Sequence, residues 1–532
     1  MFAHLRLVST AAGGKRVTNT LISVGLDRNS EEPIYRQLIR HVRAQIESGS
    51  LASGARLPAS RDLAQQLNIS RISVVNAYAE LRAEGYLSAH AGRGTFVAGE
   101  RSNGNGNGNG ASASNGNGTL HSPDGVPVAV KSPADTAPIG DRSVRELLQL
   151  ARKPGVINFS QGSPPTDFFP VHALRHAIDH MLDRDGARAL GYEQTEGYGP
   201  LRSAVRDYVS ALGIRCSPDQ VLITGGTQQA LDLVVQSLLT ENETIVTENP
   251  TYLGMIDIAR ARRVHLHGIP IDEDGIRIDM LENYVLERQP RLIFVMPTFQ
   301  NPTGRVMSLH RRRQLLNLAG EFNIPVLEDG VYHELRFDGE SLPPLKALDD
   351  QGMVIHASGF TKNLLPGMRI GYVISDHQHY ERLVRVKQAA DISTPGLNQR
   401  AIHYLIERGL LSQQLERNNR ELRRRRDAAL EACERHLPVG SRWSVPQGGL
   451  YLWIELPKNG PTSAELYISA IHHGVAYAIG SVFYPAGGGT YRLRLNYAAQ
   501  RPADIEEGMR RISRAWHDLN HDYGTIEKPP LL

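Results

Sequence analysis

The sequence has 532 residues, a length that predicts two or three domains rather than one hydrophobic core. Its 41% hydrophobic and 22% charged residues are typical of a soluble globular protein, and a net charge of only +3 means that any nucleic-acid binding needs a local basic surface. The two cysteines, Cys216 and Cys433, exclude a disulfide framework and favour the reducing cytoplasm.

Residues 1–21 precede the first predicted domain. The first 26 residues of the chain contain Arg6, Lys15 and Arg16 and no acidic residue, but the apolar stretch "TLISVGL" is too short and too late for a secretory signal. We therefore predict an extension that leads into a first strand, with a transit peptide as the alternative. No apolar run in the chain approaches the roughly 20 residues that a membrane helix needs, so we expect no membrane partner.

Residues 22–99 predict a winged helix-turn-helix domain. Apolar spacing and capping residues predict three helices, over 33–48, 60–67 and 70–84. The stretch "YLSAHAGRGTFV" then predicts a two-stranded hairpin that turns at 92–94.

The N-terminal turn of the third helix is expected to enter the major groove of DNA. The candidate DNA contacts on this turn, on the preceding helix and at the tip of the wing are Arg71, Ser73, Asn76, Arg61 and Arg93. A winged helix that serves only as a protein-interaction module is the alternative. The stretches "PIYRQL", "RLPASRDLA", "SRISVVNAYAELRAEGYL" and "GRGTFV" resemble the DNA-binding domain of the GntR superfamily, and the resemblance implies double-stranded operator DNA as a partner.

Residues 100–140 separate this head from the rest of the chain. The segment includes "NGNGNGNGASASNGNG" and has almost nothing apolar to bury, so we predict a flexible linker. By the scaling for such chains, its roughly 40 residues span on the order of 35 Å.

Residues 141–532 form a body in which short apolar strands alternate with amphipathic helices. The predicted strands include "QVLIT", "TIVTE", "RLIFVMP", "IPVLED", "MVIHAS" and "RIGYVIS". This pattern predicts an α/β fold: a mostly parallel sheet with helices on both faces, and a smaller C-terminal α+β subdomain from about Ile392. The basic run "RNNRELRRRRDAALEACERHL" contains interleaved acids, and we interpret it as a solvated helix face rather than a DNA contact.

The body contains, in one order along the chain, the groups that a pyridoxal-phosphate site needs. Lys362 in "SGFTKNLLPGMRIG" is placed to form a Schiff base with the cofactor, and Asp329 in "EDGVYHE" to keep its ring nitrogen protonated. The strand-to-helix turn "TGGTQQALDL" is a candidate phosphate site, since backbone N–H groups bind anions at a helix N-terminus. The candidate cofactor residues are Gly226, Thr227, Gln228, Tyr252, Asn301, Asp329, Tyr332, Thr361, Lys362 and Arg369. We predict no metal site.

The order of these motifs resembles the fold-type I aminotransferases of class I and II over nearly the whole body. The resemblance implies that Tyr192 of the partner subunit reaches the cofactor phosphate, and therefore a homodimer. It also implies that Arg494 binds a ligand carboxylate, with Arg492 as the fallback and Gly162 near the same ligand. In many members a serine that binds the phosphate stands three residues before the lysine.

This chain has Gly359 at the position of that serine, with Ser358 before it and Thr361 as the candidate replacement. The departure predicts a looser phosphate site.

A GntR-type head, a long linker and an aminotransferase-like body together resemble the MocR/GabR transcriptional regulators. This resemblance implies a cytoplasmic regulator whose body senses an amine or amino-acid effector through pyridoxal 5′-phosphate. One alternative is that pyridoxal phosphate itself is the effector. Another is a working aminotransferase of the aminoadipate or aromatic type, which "EDGVYHELRFDG" and "PQGGLYLWIELP" favour.

Overall fold

The chain divides into two compact units, residues 1–147 and 148–532. The computed structural model describes residues 34–48, 50–52, 54–67, 69, 71–83, 86–90, 94–98, 151, 154–164 and 166–524. Within these ranges, no helix combines the length and the apolar character that crossing a membrane requires. The predicted linker at 100–140 lies outside them.

The head has the predicted winged helix-turn-helix fold. Its elements are α1 (Ile34–Glu47), α2 (Ser60–Leu67), α3 (Arg71–Ala83), β1 (Leu87–His90) and β2 (Gly94–Val97). The two strands pair antiparallel, and the apolar faces of the three helices bury Leu38, Leu63 and Leu81 completely. Burial of these faces holds the head together, because helices this short are marginal in isolation.

The strands of the body form one large sheet and two small ones. In chain order they are β3 (Ile157–Asn158), β4 (Val221–Thr224), β5 (Thr244–Asn249), β6 (His265–Asp272), β7 (Gly275–Ile276), β8 (Leu292–Val295), β9 (Val326–Asp329), β10 (Val354–Gly359), β11 (Gly371–Ile374), β12 (Arg442–Trp443), β13 (Tyr451–Glu455), β14 (Val475–Ala476), β15 (Ala478–Ile479) and β16 (Arg492–Asn496).

The large sheet has the order β4-β11-β10-β9-β8-β5-β6-β7, and the prediction of a mostly parallel sheet is confirmed. Of its eight strands, β11 and β7 run in the direction opposite to the other six. Because the other strands share one direction, their carboxyl ends meet at one edge of the sheet, where ligands bind in such folds. The sequence pattern missed β6 and β7, since the side chains of β6 are mostly half-buried or exposed and its neighbour β7, the edge strand, has only two residues.

The helices of the body cover both faces of this sheet and, toward the C-terminus, pack within the smaller subdomain. They are α4 (Val171–Asp185), α5 (Gly199–Ser210), α6 (Thr227–Leu238), α7 (Leu253–Arg262), α8 (Ile278–Arg288), α9 (Leu309–Glu321), α10 (Leu345–Leu348), α11 (His377–Asp391), α12 (Gly396–Glu407), α13 (Leu410–His436), α14 (Ser463–His472) and α15 (Pro502–Gly524).

The C-terminal subdomain is the predicted α+β unit. Its sheet has the order β12-β13-β16-β15, and a separate parallel pair joins β14 to β3, which comes from the start of the body. Tyr451 faces Asn496 and Trp453 faces Arg494 across β13 and β16. This register places Tyr451 and Arg494 on the same side of the small sheet.

Helix α13 carries the basic run and corrects its interpretation as a purely solvated face. Arg425 and Arg426 are buried, whereas Arg423 and Arg424 are exposed. Arg425 donates to the Ala498 carbonyl at 2.7 Å and forms ion pairs in addition. Two of the four consecutive arginines therefore serve packing within the body.

Candidate cofactor and ligand site

One cleft lies at the carboxyl edge of the large sheet. The predicted site residues that line it are Thr227, Gln228, Tyr252, Asp329, Tyr332, Thr361, Lys362 and Arg369. They follow β4, β5, β9 and β10, so residues that are far apart in the sequence meet at the edge where parallel strands end. Leu231, Met296 and Val331 supply apolar walls.

The strand-to-helix turn before α6 forms an anion-binding cradle. Gly226 adopts φ +101°, and a Cβ there would lie 2.6 Å from Nη2 of Arg369, so this position needs glycine. Arg369 donates to the Gly225 carbonyl at 3.0 Å. The hydroxyl oxygens of Thr227 and Thr361 are buried and have no hydrogen-bond partner among the residues that the structure describes. The turn thus combines a helix N-terminus, a guanidinium and two unused hydroxyls.

A buried polar chain holds this turn in place. The side-chain oxygen of Gln229 accepts from Gly225 N at 2.6 Å, and its amide donates to Asp391 at 2.8 Å. Lys387, which is fully buried, donates to the same carboxylate at 2.6 Å. The sequence reasoning missed these supports, because no local motif connects α11 to the turn.

Close packing explains the glycine where a serine was expected. A Cβ on Gly359 would lie 2.8 Å from the Gly371 Cα and 2.9 Å from the Ile370 carbonyl oxygen. It would also lie 3.1 Å from Oγ1 of Thr227. A serine at 359 therefore does not fit this backbone, and the unpaired hydroxyls of Thr227 and Thr361 are the groups available in its place.

Asp329 ends β9 and is almost completely buried. Burial raises the pKa of its carboxyl to about 6, although the Val331 N–H donates to it at 3.1 Å. The preceding Glu328 points elsewhere and accepts from His356 at 2.8 Å. Asp329 therefore has no cation bonded to it among the described residues, and a protonated ring nitrogen is a group that would stabilise its charge.

Three phenol and amide groups border the cleft. Tyr252 donates to Gln228 at 2.9 Å, and Gln228 in turn donates to the Gly254 carbonyl at 3.0 Å. The hydroxyl of Tyr332 is 3.0 Å from that of Tyr451, and either can be the donor. Burial, followed by the neighbouring Tyr451, raises the pKa of Tyr332 well above its usual value, so the Tyr332 phenol is a neutral hydrogen-bonding group.

The segment 160–163 connects Lys362 to the sheet of the C-terminal subdomain. Lys362 Nζ donates to the Gly162 carbonyl at 2.5 Å. Asn496 on β16 donates to the carbonyls of Gln161 and Ser163, the latter at 3.2 Å. Asn496 lies two residues beyond Arg494 on the same face of the strand, a spacing that could have identified it from the sequence.

Arg494 is a buried guanidinium without an acidic partner among the described residues. It donates to the Asn301 side chain at 2.7 Å and to the Ser160 carbonyl at 2.8 Å, and its Nε is buried and unpaired. The rings of Tyr451 and Phe483 lie 4.1 and 4.9 Å from its central carbon. Such a charge is stabilised by a bound carboxylate.

A second acid, Glu334, is half-buried and is bonded to the residue that follows Lys362. Glu334 is hydrogen-bonded by Tyr208 and by Asn363, which donates at 3.1 Å. Burial raises the pKa of Glu334 to about 7. Glu334 does not line the cleft, so a substitution there is a control for one at Asp329.

Several predicted residues lie outside this cleft. Tyr192 is 88% exposed, and Arg492 pairs with Glu455 at 3.1 Å, which leaves Arg494 as the unpaired arginine of the two. In the head, Arg61 lies on α2 and the candidates Arg71, Ser73 and Asn76 lie on the first two turns of α3, whereas Arg93 lies outside the described residues.

Comparison with known proteins identifies the body. Residues 154–512 match the family model for aminotransferase class I and II. The chain belongs to this family. The 2-aminoadipate transaminase of Thermus thermophilus is 38% identical over 71% of this chain and 94% of its own length. The crystal structure of LysN, the α-aminoadipate aminotransferase of T. thermophilus, is 36% identical, with a TM-score of 0.67 over 74% of this chain and 100% of that one.

The head matches a second family. Residues 34–97 match the model for bacterial regulatory proteins of the gntR family. The probable rhizopine catabolism regulatory protein MocR of Rhizobium meliloti is 30% identical over 77% of this chain and 79% of its own length. The HTH-type transcriptional regulator YdfD of Bacillus subtilis is 29% identical over 90% of this chain and 95% of its own. A GntR head fused to an aminotransferase body is the MocR/GabR-type architecture.

The cofactor of this aminotransferase-family body is pyridoxal 5′-phosphate, and the residues present fit it. The unpaired hydroxyls of Thr227 and Thr361, the N-terminus of α6 and Arg369 would hold the phosphate. Asp329 would hold the ring nitrogen. Lys362 supplies the amine in the same cleft.

Proposed function

We propose that this protein is a pyridoxal-phosphate-dependent transcriptional regulator whose body binds an amino acid or related amine and whose head binds operator DNA. The observation that carries the proposal is the buried Arg494, which has no acidic partner in the described part of the chain, together with a GntR-family head. A guanidinium in that position suits a ligand carboxylate, and the head supplies a reason for the chain to report the binding event.

The residues of the cleft have separate tasks in this proposal. Bound pyridoxal phosphate supplies an aldehyde carbon that reacts with amines and a ring that accepts electrons. Arg494 holds the ligand carboxylate and thereby orients the ligand amine toward Lys362. Asp329 stays ionised at neutral pH, because its pKa is about 6, and holds a proton on the ring nitrogen. Tyr332 donates a hydrogen bond to the ring hydroxyl.

A homodimer is part of the proposal. The exposed Tyr192 has no role within its own cleft, which supports the idea that Tyr192 of the partner subunit completes the phosphate site. A dimer also presents two heads, as the two half-sites of a palindromic operator require. Regulation requires that the ligand binds one arrangement of the dimer more tightly than another. A cytoplasmic location follows, because operator DNA lies there.

A working aminotransferase is the second candidate. The 38% identity to a relative named 2-aminoadipate transaminase favours it, as does the presence of Lys362, Asp329, Tyr332 and Arg494 in this chain. A third candidate effector is pyridoxal phosphate itself, which the cradle before α6 would bind in either case.

An absorbance titration separates these candidates. The purified full-length protein with bound cofactor is titrated with a panel of amino acids and amines, while keto-acid product is assayed in parallel. A spectral response without turnover, together with altered operator binding, supports the regulator. Sustained product formation supports the enzyme. Altered operator binding on adding pyridoxal phosphate alone supports the third candidate.

Two matched variants test the carboxylate site. Arg494→Gln is expected to weaken binding of the responding amino acid roughly 100-fold, since a charge-assisted bidentate contact contributes about 3 kcal/mol. Arg492→Gln removes an equal charge from the same strand and is expected to change binding less than about threefold, because Glu455 already pairs with it. Equal effects of the two variants would contradict the assignment of Arg494.

A further inference from the structure

Tyr451 contacts both halves of the candidate site. It begins β13, is 2% exposed, and places its hydroxyl 3.0 Å from the hydroxyl of Tyr332. The two rings meet edge to face, with centroids 5.8 Å apart and planes at 83°. The same Tyr451 ring covers Arg494, whose central carbon is 4.1 Å from the ring centroid. One side chain therefore touches the proposed carboxylate site and the proposed partner of the cofactor ring.

The surroundings hold the Tyr451 hydroxyl in one place. A Cβ on Gly162 would lie 2.8 Å from this oxygen and 3.8 Å from Lys362 Nζ, so only glycine leaves room for it there. The Gly162 carbonyl accepts from Lys362 at the same point. A phenol that served packing alone would not need its oxygen at the meeting point of Tyr332, the segment 160–163 and the reactive lysine.

The hydroxyl pair has two alternative proton arrangements. A phenol has one proton to donate, so Tyr332 can donate either to Tyr451 or to the cofactor ring, but not strongly to both. When Tyr451 is the donor, the Tyr332 proton is available to the cofactor, and accepting a hydrogen bond strengthens the bond that Tyr332 donates. The direction of the Tyr451 proton thus affects the electron density of the bound cofactor.

We propose that Tyr451 is a positioning residue that couples carboxylate binding at Arg494 to the hydrogen bond that Tyr332 gives the cofactor. The proposal rests on the ligand site described under the proposed function and deepens it. A carboxylate on Arg494 neutralises the charge that attracts the face of the Tyr451 ring. The Tyr451 ring is then held less firmly, and the hydrogen bond between the hydroxyls of Tyr451 and Tyr332 changes. The cofactor therefore senses the carboxylate of the ligand as well as its amine.

Tyr451→Phe tests the coupling, since it keeps the ring over Arg494 and removes only the hydroxyl. The readout is the midpoint pH at which the visible absorption band of the lysine-bound cofactor changes, measured on full-length protein. Without Tyr451 the Tyr332 donor weakens and the negative ring oxygen attracts the neighbouring proton more strongly. We expect the midpoint to rise by about half a pH unit, the size of one neutral hydrogen bond.

The second readout is the response of this midpoint to hydrocinnamate, a carboxylate without an amine that cannot react with the cofactor. We expect saturating hydrocinnamate to shift the midpoint of the natural protein and the Tyr451→Phe variant to lose more than half of that shift. A variant that retains the full shift overturns the proposal. A natural protein whose midpoint ignores bound hydrocinnamate, or that binds none, overturns it as well.

A double-mutant cycle checks the route of the coupling. In a Tyr332→Phe background, the additional Tyr451→Phe change is expected to leave the midpoint unaltered, and an undiminished shift there overturns the route. Tyr477→Phe is the matched control, because it removes another buried hydroxyl of the same subdomain, one that donates to the Ser463 carbonyl at 2.7 Å. Its midpoint is expected to equal that of the natural protein, and a shift like that of Tyr451→Phe would overturn the specific role.

The two levels of proposal fail in different ways. Failure of the proposed function shows as the absence of a spectral response to every amino acid and amine of the panel. Failure of the Tyr451 coupling shows as a normal amino-acid response in the Tyr451→Phe variant, with a normal midpoint pH.

Discussion

Two buried arginines of the body differ in what surrounds them. All three donor nitrogens of Arg425 on α13 are used, by Glu421, by the Ala498 carbonyl and by Asp167. Arg494 on β16 donates to a carbonyl and an amide, keeps an unpaired Nε, and has no acidic partner within the described ranges. The buried Arg425 of the basic run therefore has every donor nitrogen bonded within the body, whereas Arg494 keeps one buried donor unbonded.

Buried polar atoms without a hydrogen bond therefore indicate this site better than a run of charged residues in the sequence does. Folded proteins bond nearly all of their buried polar atoms, and each orphan costs about 1–3 kcal/mol. Thr227, Thr361 and Arg494 each carry such an atom, and the first two line the cleft while the third lies on the small sheet beside it. A phosphate and a carboxylate are the two anions that would satisfy them.

The largest expected effect is a complete loss of cofactor attachment. Lys362→Ala is expected to abolish the visible absorption band of bound cofactor, because no other amine would bond the cofactor aldehyde. The exposed Lys458→Ala serves as the control and is expected to retain the full band. Absorbance of the protein after incubation with pyridoxal phosphate and gel filtration checks both, and a persisting band in the Lys362 variant would show that the assignment is wrong.

Asp329→Asn is expected to stabilise the cofactor-free body by roughly 3 kcal/mol at pH 8. The folded pKa of about 6 lies above the usual 3.8, so the free energy of unfolding is highest below pH 4 and falls as the pH rises through 6, where the buried carboxyl ionises. Thermal unfolding at pH 5 and pH 8 measures the difference, which should be smaller at pH 5.

Glu334→Gln is the control for that experiment, since its pKa is also raised, to about 7. We expect it to stabilise the protein at pH 8 as well, but only Asp329→Asn should weaken cofactor binding. If neither variant is more stable than the natural protein at pH 8, burial does not oppose ionisation of the Asp329 and Glu334 carboxyls.

Arg425→Met is expected to lower the unfolding free energy of the body by roughly 2 kcal/mol, because the Ala498 carbonyl loses its buried donor. Operator affinity at fixed salt should not change. Chemical denaturation measures the first quantity and a binding titration the second. A loss of operator affinity in the still-folded variant would restore a DNA-contacting role for the basic run.

The smallest effect is expected in the head. Arg71 opens α3 and is predicted to contact a base, so Arg71→Ala should weaken specific operator binding by about 1.5 kcal/mol. Arg82→Ala removes an exposed arginine from the last turn of the same helix and should change affinity far less. Equal losses in titrations at one salt concentration would mean that both residues contribute only general charge.

The sequence predicts those parts of the molecule that depend on local pattern. The six strands read from buried apolar runs all occur, and the motif order brings Lys362, Asp329 and Arg369 to one cleft. Tyr451 and Asn496 were missed, because their roles depend on the register of β13 against β16 and on a segment from the start of the body. The sequence shows Gly359 only as a departure from the serine of related proteins. The close approach of Gly371, which explains the glycine, becomes visible only in the fold.

The pairing of β3 with β14 determines where the first strand of the body lies. Ile157 N donates to the Gly474 carbonyl, so the first strand after the predicted linker is anchored on the small subdomain rather than on the large sheet. A few residues further on, the segment 160–163 reaches Lys362 and Arg494. A movement of the small subdomain would therefore carry with it the first strand of the body and the segment 160–163 that follows it.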